Sequence, residues 1–412
     1  MTKERAVIVG GGVAGAVAAI ALHRAGRQPH LYESRRPGAA EQGAFLTVAV
    51  NGLNALRDLG LDPARVLAAG FATPTLVLSN GRGRRLAEFA LGGSAAGGTA
   101  TTTIRRADLY AALRAEASAL GIPIGYGRRA TGFTETPAGV TVSFDDGGTA
   151  EGELLVGADG LRSAIRAGLN PGGPRPAYLG LLNAGGFTSR PVAAALDMTP
   201  GVTRMAFGRR SFFGWSVAPD GTVWWFANPP SREPVRPGDF TPQSWRAHLI
   251  GLFAGDDLPA AEIVRATGEV LGPWNTEDLP SVPVWRSGRA VLIGDAAHAV
   301  SPSSEQGASM AMEDAVTLGR CLAARAEVPA ALAEYERLRR ARVERVVAYG
   351  RRNGSGKTAG PIGAVVRDAM FPLVAKVMSS RRNPDGWLLD HRVPRVGEWR
   401  QAASREDGPG GT

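Results

Sequence analysis

The chain has 412 residues, 44% of them hydrophobic and 21% charged, an ordinary balance for a folded protein of one large domain or two to three smaller ones. Its net charge of +9 comes almost wholly from scattered arginines, the only lysines being Lys3, Lys357 and Lys376, and no basic run interleaved with aromatics argues for nucleic acid. One cysteine, Cys321, excludes a disulfide framework, five scattered histidines offer no metal-ligand spacing, and no 18-residue apolar run suggests a membrane span.

In chain order, Ala6-Val7-Ile8-Val9 reads as a buried strand that runs into "GGGVAGAVAAIALHRAG", a glycine turn and an alanine-rich helix closed by Gly26. "QPHLYES" follows as a second strand, so the first 34 residues form one βαβ unit. The opening "MTKERAVIVGGG" has no secretory character, and a cytoplasmic protein is expected. Helical spacing returns at Gly52–Leu59 and at Ala107–Leu120, the latter closed by Gly121, with a glycine-rich connector at Leu91–Thr103 between them. Short strands are expected near Val140–Phe144 and Leu154–Val156.

From Leu179 to Asn228 the texture changes to alternating, aromatic-rich pieces, with Asp220-Gly221 as a hairpin signal. These residues predict a mixed, mostly antiparallel sheet inserted into the α/β frame. Beyond the 290s the chain turns helical, through "ALAEYERLRRARVERVVAYGRRN" and the amphipathic "IGAVVRDAMFPLVAKVM", to a polar tail. The expected fold class is α/β, a Rossmann-like dinucleotide-binding domain with an inserted mixed β-sheet substrate domain and C-terminal helices. The expected boundaries are 1–75, 101–175 and 284–330 for the first, 76–100 and 176–283 for the second, and 331–412 for the helices and tail.

Three loops carry the chemistry. Gly10-Gly11-Gly12-Val13-Ala14-Gly15 is G-x-G-x-x-G directly after a strand and opening a helix. Gly10 permits the turn, Gly12 lets a pyrophosphate approach the backbone, and Gly15 lets helix and strand pack closely. Glu33 ends the next strand, where its carboxylate can accept from a ribose 2′-hydroxyl; Arg35 and Arg36 could pair a 2′-phosphate, but the acid argues for an unphosphorylated adenosine, as in FAD or NAD. "VGADGLRSAIR", with Asp159 and Gly160, and "GDAAHAVSPSSEQGASMAMEDA", with Gly294 and Asp295, are two more strand-to-loop-to-helix turns of the kind that present backbone N–H groups to an anion. A long dinucleotide with a ribityl chain needs donors and acceptors along its whole length.

With these motifs and "IRRADLYAAL", the chain resembles the single-component FAD-dependent monooxygenases of the aromatic hydroxylase type over most of residues 4 to 350. The resemblance implies that Arg106 contacts FAD, that Asp159 lies near the pyrophosphate and that Asp295 hydrogen-bonds the ribityl hydroxyls. The loop Pro302–Ala308, including Gln306 and Gly307, would run beside the isoalloxazine ring, with Gly43, Ala44 and Phe45 near it as the other wall. His298, inside the late cofactor stretch, is expected to be structural. The implied chemistry is reduction of FAD by NADPH or NADH, capture of O₂ and oxygen transfer from a C4a-hydroperoxide. The substrate would be aromatic or conjugated, the protein a monomer or homodimer with no nucleic-acid partner and no metal.

One residue departs from the family pattern Pro-x-x-Gly-Gln-Gly: Glu305 replaces the first of those glycines. A glycine there allows close backbone approach or φ > 0, whereas a carboxylate beside the ring would disfavour an anionic reduced flavin unless paired. Either Glu305 points to solvent, the expectation held here, or the flavin position or substrate contacts differ. Met205, Phe207, Phe213, Trp215, Trp224 and Trp225 alternate on neighbouring strands and are expected to give the inserted sheet one aromatic face over the flavin, an apolar pocket for a bulky substrate. "GRRNGSGKTAG" contains Gly-Lys-Thr but has neither the spacing nor the preceding strand of a phosphate loop. A flavin halogenase is disfavoured because "VWWFANPP" is not the Trp-x-Trp-x-Ile-Pro motif and no lysine lies between Lys3 and Lys357. An epoxidase or reductase of the same fold, and an FAD-holding ligand-binding protein without turnover, remain as alternatives.

Overall fold

A computed structural model describes residues 5–38, 43–92, 100–188, 199–279, 281–355, 357, 366, 368–371 and 386–396. Most of the connector at Leu91–Thr103, most of the amphipathic stretch from Ile362 to Met378, and the polar tail lie outside the described residues.

Continuous apolar runs make the first sheet. Arg5–Val9, Gln28–Glu33, Ile124–Tyr126, Leu154–Gly157 and Ala290–Leu292 pair in the order 290–154–5–28–124, and every pair is parallel. A parallel sheet is covered on both faces, so its central strands read as unbroken hydrophobic runs; Ala6 to Val9 and Leu154 to Val156 are all buried. The helix Val13–Arg24 crosses from the first strand to the second, and its alanines let it pack tightly on the helices Arg106–Ala119 and Gly307–Ala324. Gly26, at φ 82°, reverses the chain after it. Cys321 is fully buried in the helix Gly307–Ala324, and burial pushes its thiol up to about 12.

A seven-stranded sheet forms the second layer. Its order is Leu271–Asp278, Ala177–Thr188, Val223–Asn228, Phe212–Val217, Val202–Phe207, Thr75–Asn80 and Arg85–Ala90. All pairs are antiparallel except Val202–Phe207 with Thr75–Asn80. Residues 218–222, with Gly221 at φ 83°, turn the hairpin in which Trp215 lies opposite Trp225.

Because strand side chains alternate, this register sorts the aromatics onto two faces. Phe213, Trp215 and Trp225 share one face with Val217, Val223 and Ala227; Met205, Phe207, Phe212, Trp224 and Phe226 share the other. Two helices absent from the sequence reading, Pro242–Phe253 and Ala260–Ala266, close the first face with Trp245, Leu249, Phe253, Ile263 and Val264. The first helix starts at a capping box, in which Thr241 and Ser244 satisfy each other's backbone N–H, with Pro242 at the first helical position. The second face looks toward the parallel-sheet domain: Phe45 packs against Trp224, Phe187 and Phe226 with ring centroids 5.7–6.3 Å apart.

The helix Val328–Ser355 spans both layers. Arg339 is buried against Glu313 and Asp314 of the helix Gly307–Ala324, and Arg351 forms a bidentate pair with Asp278 on the sheet's edge strand (2.6 and 3.0 Å). Among the described residues, no helix is long and apolar enough to cross a membrane.

Candidate cofactor and substrate site

The glycine loop Gly10–Gly15 sits where the strands Arg5–Val9 and Leu154–Gly157 end side by side. Gly10 has φ 105°, and a Cβ on it would lie 2.2 Å from the Ala158 carbonyl oxygen; one on Gly15 would lie 1.8 Å from the Gly10 carbonyl oxygen. Only glycine fits at either position. Gly12 differs, because a Cβ there would meet nothing within 4 Å. The helix that starts at Val13 has no side-chain cap and no acid in its first turn, so its amide N–H groups and positive dipole end face open space. Val13 and Ala14 are buried at that end.

Glu33 closes one side of this loop. Its Oε2 accepts from the Gly11 N–H (2.8 Å) and its Oε1 from the Arg35 N–H (2.8 Å) and the Ser34 hydroxyl (3.2 Å). A carboxylate has about four lone-pair sites, so Glu33 retains acceptor capacity. Beyond it, Arg35, Arg36 and Arg114 border a surface groove of about 300 Å³.

Asp159 lies against the loop from the other side: its Cα would be 2.9 Å from a Cβ on Gly10. Its carboxylate is used at home, accepting from the Ser163 hydroxyl (2.5 Å) and the amides of Ala164 (2.7 Å) and Ile165 (3.3 Å), where it caps the helix Ala164–Leu169. Burial raises its pKa above the ordinary carboxylate value, and those hydrogen bonds oppose the rise. Gly160 follows at φ 76° with open space around it.

The late loop folds back onto the first. A Cβ on Gly294, which has φ 57°, would meet the Ala14 methyl at 2.8 Å, so the two loops touch. Asp295 is exposed although protein surrounds it, which is the signature of a residue lining a cleft. Burial raises its pKa, with His298 and then Arg106 opposing. Arg106 comes from the strand-to-helix junction after Thr102–Arg105, and its Nε is buried without a hydrogen-bond partner. Gly43, at φ 91°, leaves the room that Arg106 occupies. Ala44 accepts from the Arg106 N–H (3.3 Å), and Phe45 pairs with Arg105 in the small sheet.

The helix Gly307–Ala324 also begins without a side-chain cap or an early acid, so Gly307 and Ala308 present a second positive helix end. Its preceding loop is held from below. Asn51 donates through Nδ2 to Gln306 Oε1 (3.0 Å) and to Glu313 Oε1 (2.8 Å). Glu313 and Asp314 form a buried cluster with Arg339, Arg342 and His298. Burial alone would raise the Glu313 carboxyl, but Arg339 and Arg342 outweigh it and hold it at about 2. For Asp314 the same burial is outweighed by His298 and Arg339, again giving about 2. His298 hydrogen-bonds Asp314 through Nε2, the partner that also receives the Gly294 N–H (2.9 Å).

Pro302 starts a short 3₁₀ turn that ends at Glu305, which has φ 53° and is the one non-glycine residue with positive φ among the described residues. The backbone conformation is the one a glycine would supply at this position. Glu305 is half-buried rather than extended into solvent as expected. Its charge interacts with that of Lys357, from the stretch that carries Gly-Lys-Thr.

The sheet corrects one further expectation. Met205, Phe207, Phe213, Trp215 and Trp225 do not form a single wall. Phe213, Trp215 and Trp225 lie beneath the two helices, where the Trp225 Nε1–H donates to Thr267 Oγ1 (2.8 Å) and the Phe213 ring packs edge-on to Phe253 at 5.1 Å. The face toward the cofactor loops holds Met205, Phe207 and Trp224 with Phe212, Phe226 and Phe187, and small residues make room on it: a Cβ on Gly185 would meet the Ala44 methyl at 3.1 Å. The Arg105 guanidinium covers Phe187 and Trp224 at 4.5 and 5.3 Å. Phe212, Phe226, Asn228 and Lys357 were absent from the sequence-derived site. Strand alternation from Trp224 would have found the first three; Lys357 carried no local signal.

Two uncapped helix ends, open glycines, a spare acceptor on Glu33, a buried orphan donor on Arg106 and a cleft-facing Asp295 suit an extended, anionic, polyhydroxylated dinucleotide. Comparison with known proteins agrees with that chemistry. Residues 3–349 match the FAD binding domain family. The chain is 34% identical over 383 residues to an aurachin C monooxygenase/isomerase of Stigmatella aurantiaca, covering 91% of this chain and 94% of that protein. It is 30% identical to an FAD-dependent urate hydroxylase of Klebsiella pneumoniae, covering 84% and 89%. Among solved structures, Klebsiella pneumoniae HpxO complexed with FAD and uric acid superposes with a TM-score of 0.80 at 24% identity, over 92% of this chain and 96% of that one, a likeness of fold.

Proposed function

This chain belongs to the FAD-dependent monooxygenases of the aromatic hydroxylase type, and we propose that it uses NADPH or NADH and O₂ to hydroxylate an aromatic or conjugated, bulky and apolar substrate. FAD, when bound, supplies the redox chemistry, accepting a hydride and passing one oxygen atom of O₂ to the substrate. The chain's own part is to hold, orient and exclude water. In this reading Glu33 takes the adenosine ribose, while Gly10, Gly12, Val13, Ala14 and Gly15, with Asp159 and Gly160 beside them, take the pyrophosphate. Arg106, Gly294 and Asp295 take the ribityl chain, and Pro302, Gln306, Gly307 and Ala308 flank the ring opposite Gly43, Ala44 and Phe45. The division into cofactor, substrate and C-terminal parts given for the sequence belongs to the same proposal.

The observation that carries the substrate class is the aromatic face of the seven-stranded sheet, whose Trp224 and Phe226 reach Phe45 on the cofactor side. Met205, Phe207 and Phe212 extend that face. An apolar enclosure suits both a planar substrate and the exclusion of water, without which activated oxygen is lost as H₂O₂.

The test is anaerobic stopped-flow reduction of the FAD-loaded protein by NADPH and NADH, with and without phenols and polycyclic aromatics, followed by aerobic turnover under ¹⁸O₂. Faster flavin bleaching with one aromatic, and one ¹⁸O atom in its product, is the expected result. Flavin that neither nicotinamide reduces under any condition would overturn the proposal and favour a protein that holds FAD without turnover.

A further inference from the structure

The Gly-Lys-Thr sequence that makes no phosphate loop delivers its lysine to the aromatic face of the sheet. Lys357 Nζ donates to Asn228 Oδ1 (2.8 Å) and stands 4.3 Å from the Phe212 ring centroid and 5.9 Å from that of Phe226. The orientation of Asn228 is fixed by its other end: its Nδ2 donates to Asn183 Oδ1 (2.8 Å), and Asn183 Nδ2 donates in turn to Thr276 Oγ1 (2.8 Å). The Asn228 carbonyl is therefore the end that faces Lys357. An ammonium has three N–H donors. Asn228 takes one and the Phe212 face satisfies a second; among the described residues no other group accepts the third.

Glu305 lies within electrostatic reach of Lys357. Both residues are half-buried, keeping accessible surface among their protein neighbours. Their opposite charges offset each other, which weakens the net positive field around the donor. Taking the hydroxylase reading as its basis, we propose that Lys357 and Glu305 form a selectivity pair. Lys357 gives its third N–H to a hydroxyl or carbonyl oxygen of an uncharged conjugated ring, and Glu305 disfavours ring carboxylates. Burial lowers the Lys357 ammonium to about 8, with Glu305 opposing, so the ammonium persists at neutral pH; burial raises the Glu305 carboxyl, with Lys357 opposing. A carboxylate ligand would add a second anion beside Glu305 and is repelled. No local reason in the loop requires an acid at residue 305, since glycine adopts its φ of 53° more easily.

The experiment is a titration of the full-length, FAD-loaded protein with 1-naphthol and, separately, 1-naphthoate, read by the flavin absorbance change. The wild type is expected to bind 1-naphthol at least about tenfold more tightly than 1-naphthoate, and Lys357→Met to weaken 1-naphthol about tenfold, the size of one lost hydrogen bond to a charged group. Glu305→Gln is expected to tighten 1-naphthoate by about tenfold and to leave 1-naphthol nearly unchanged. The flavin spectrum and FAD content of each variant report that it is folded and loaded, and Asn228→Ala, which frees the ammonium from its anchor, provides a second weakening variant. Unchanged 1-naphthol affinity in Lys357→Met, no gain for 1-naphthoate in Glu305→Gln, or no response of the wild-type flavin to either ligand overturns the proposal. Because the titration needs no turnover, selective binding without hydroxylation would sink the proposed activity and leave the selectivity pair standing.

Discussion

Trp225 and Phe226 are neighbours in sequence and opposites in fate. Trp225 points into a closed layer under two helices, is fully buried and donates its indole N–H to Thr267 Oγ1. Phe226 points toward the cofactor loops, keeps accessible surface and meets Phe45, Phe212 and Lys357. One aromatic-rich strand thus supplies stability from one face and recognition from the other. Aromatic content alone does not mark a binding wall; the wall is the face that no helix of the same layer covers.

The sharpest way to break this contrast is to truncate each member. Trp225→Ala is expected to lower unfolding free energy by about 3–5 kcal/mol, measured by denaturant titration, while any loaded protein that survives keeps wild-type ligand affinity. Phe226→Ala should do the reverse, weakening aromatic ligands about tenfold at a smaller stability cost because the side chain is only partly buried. If Trp225→Ala proved the stronger binding defect, the assignment of faces would be wrong.

Acid probes the support beneath the recognition face. Glu313 and Asp314 are held at about 2, below the ordinary carboxylate range, so the folded state binds fewer protons than the unfolded chain. Their stabilisation is present above about pH 4–5 and lost as pH falls toward 2, each unit of depression being worth about 1.4 kcal/mol. His391 adds to the same trend at higher pH. Burial, with Arg342 and Arg339 beside it and Glu313 opposing, lowers it to about 4, so its contribution is lost as pH falls from about 6.5 to 4. This cluster and His391 should make denaturant midpoints drop below pH 6.5, against the opposite pull of the raised carboxyls of Asp159, Asp295 and Glu305. A midpoint that rose steadily down to about pH 2 would refute the buried cluster.

The smallest expected effect is at residue 305. Glu305→Gly removes a side chain from a left-handed backbone position and should raise unfolding free energy by about 1 kcal/mol. It should also loosen discrimination against carboxylate ligands. A glycine variant less stable than the parent would show that the electrostatic interaction with Lys357 outweighs the strain.

The parallel sheet was legible because its strands are unbroken apolar runs and its loops combine glycine with a placed acid. The expected strand at Gln28–Ser34 and the helices at Gly52–Leu59 and Ala107–Leu120 differ from the structure by two residues or fewer at each end. The two sheet faces were not legible. Alternation says which side chains share a face but is symmetric about which face is covered, and the first covering helix begins at a cap, Thr241-Pro242-Gln243-Ser244, that local composition does not single out. Glu305 was noticed as a departure from glycine, yet its partner was hidden, since nothing local to Lys357 says that it returns to the sheet.

The helix Val328–Ser355, 28 residues and so about 42 Å long, behaves as a strut. Arg339 pins its middle to the helix beneath the cofactor loop, and Arg351 pins its end to Asp278 on the sheet. The two layers are braced against each other rather than hinged, and Lys357 rides just past the brace. Losing the Arg351–Asp278 tie is then expected to loosen the end of the strut, and with it the seat of Lys357 beside Asn228.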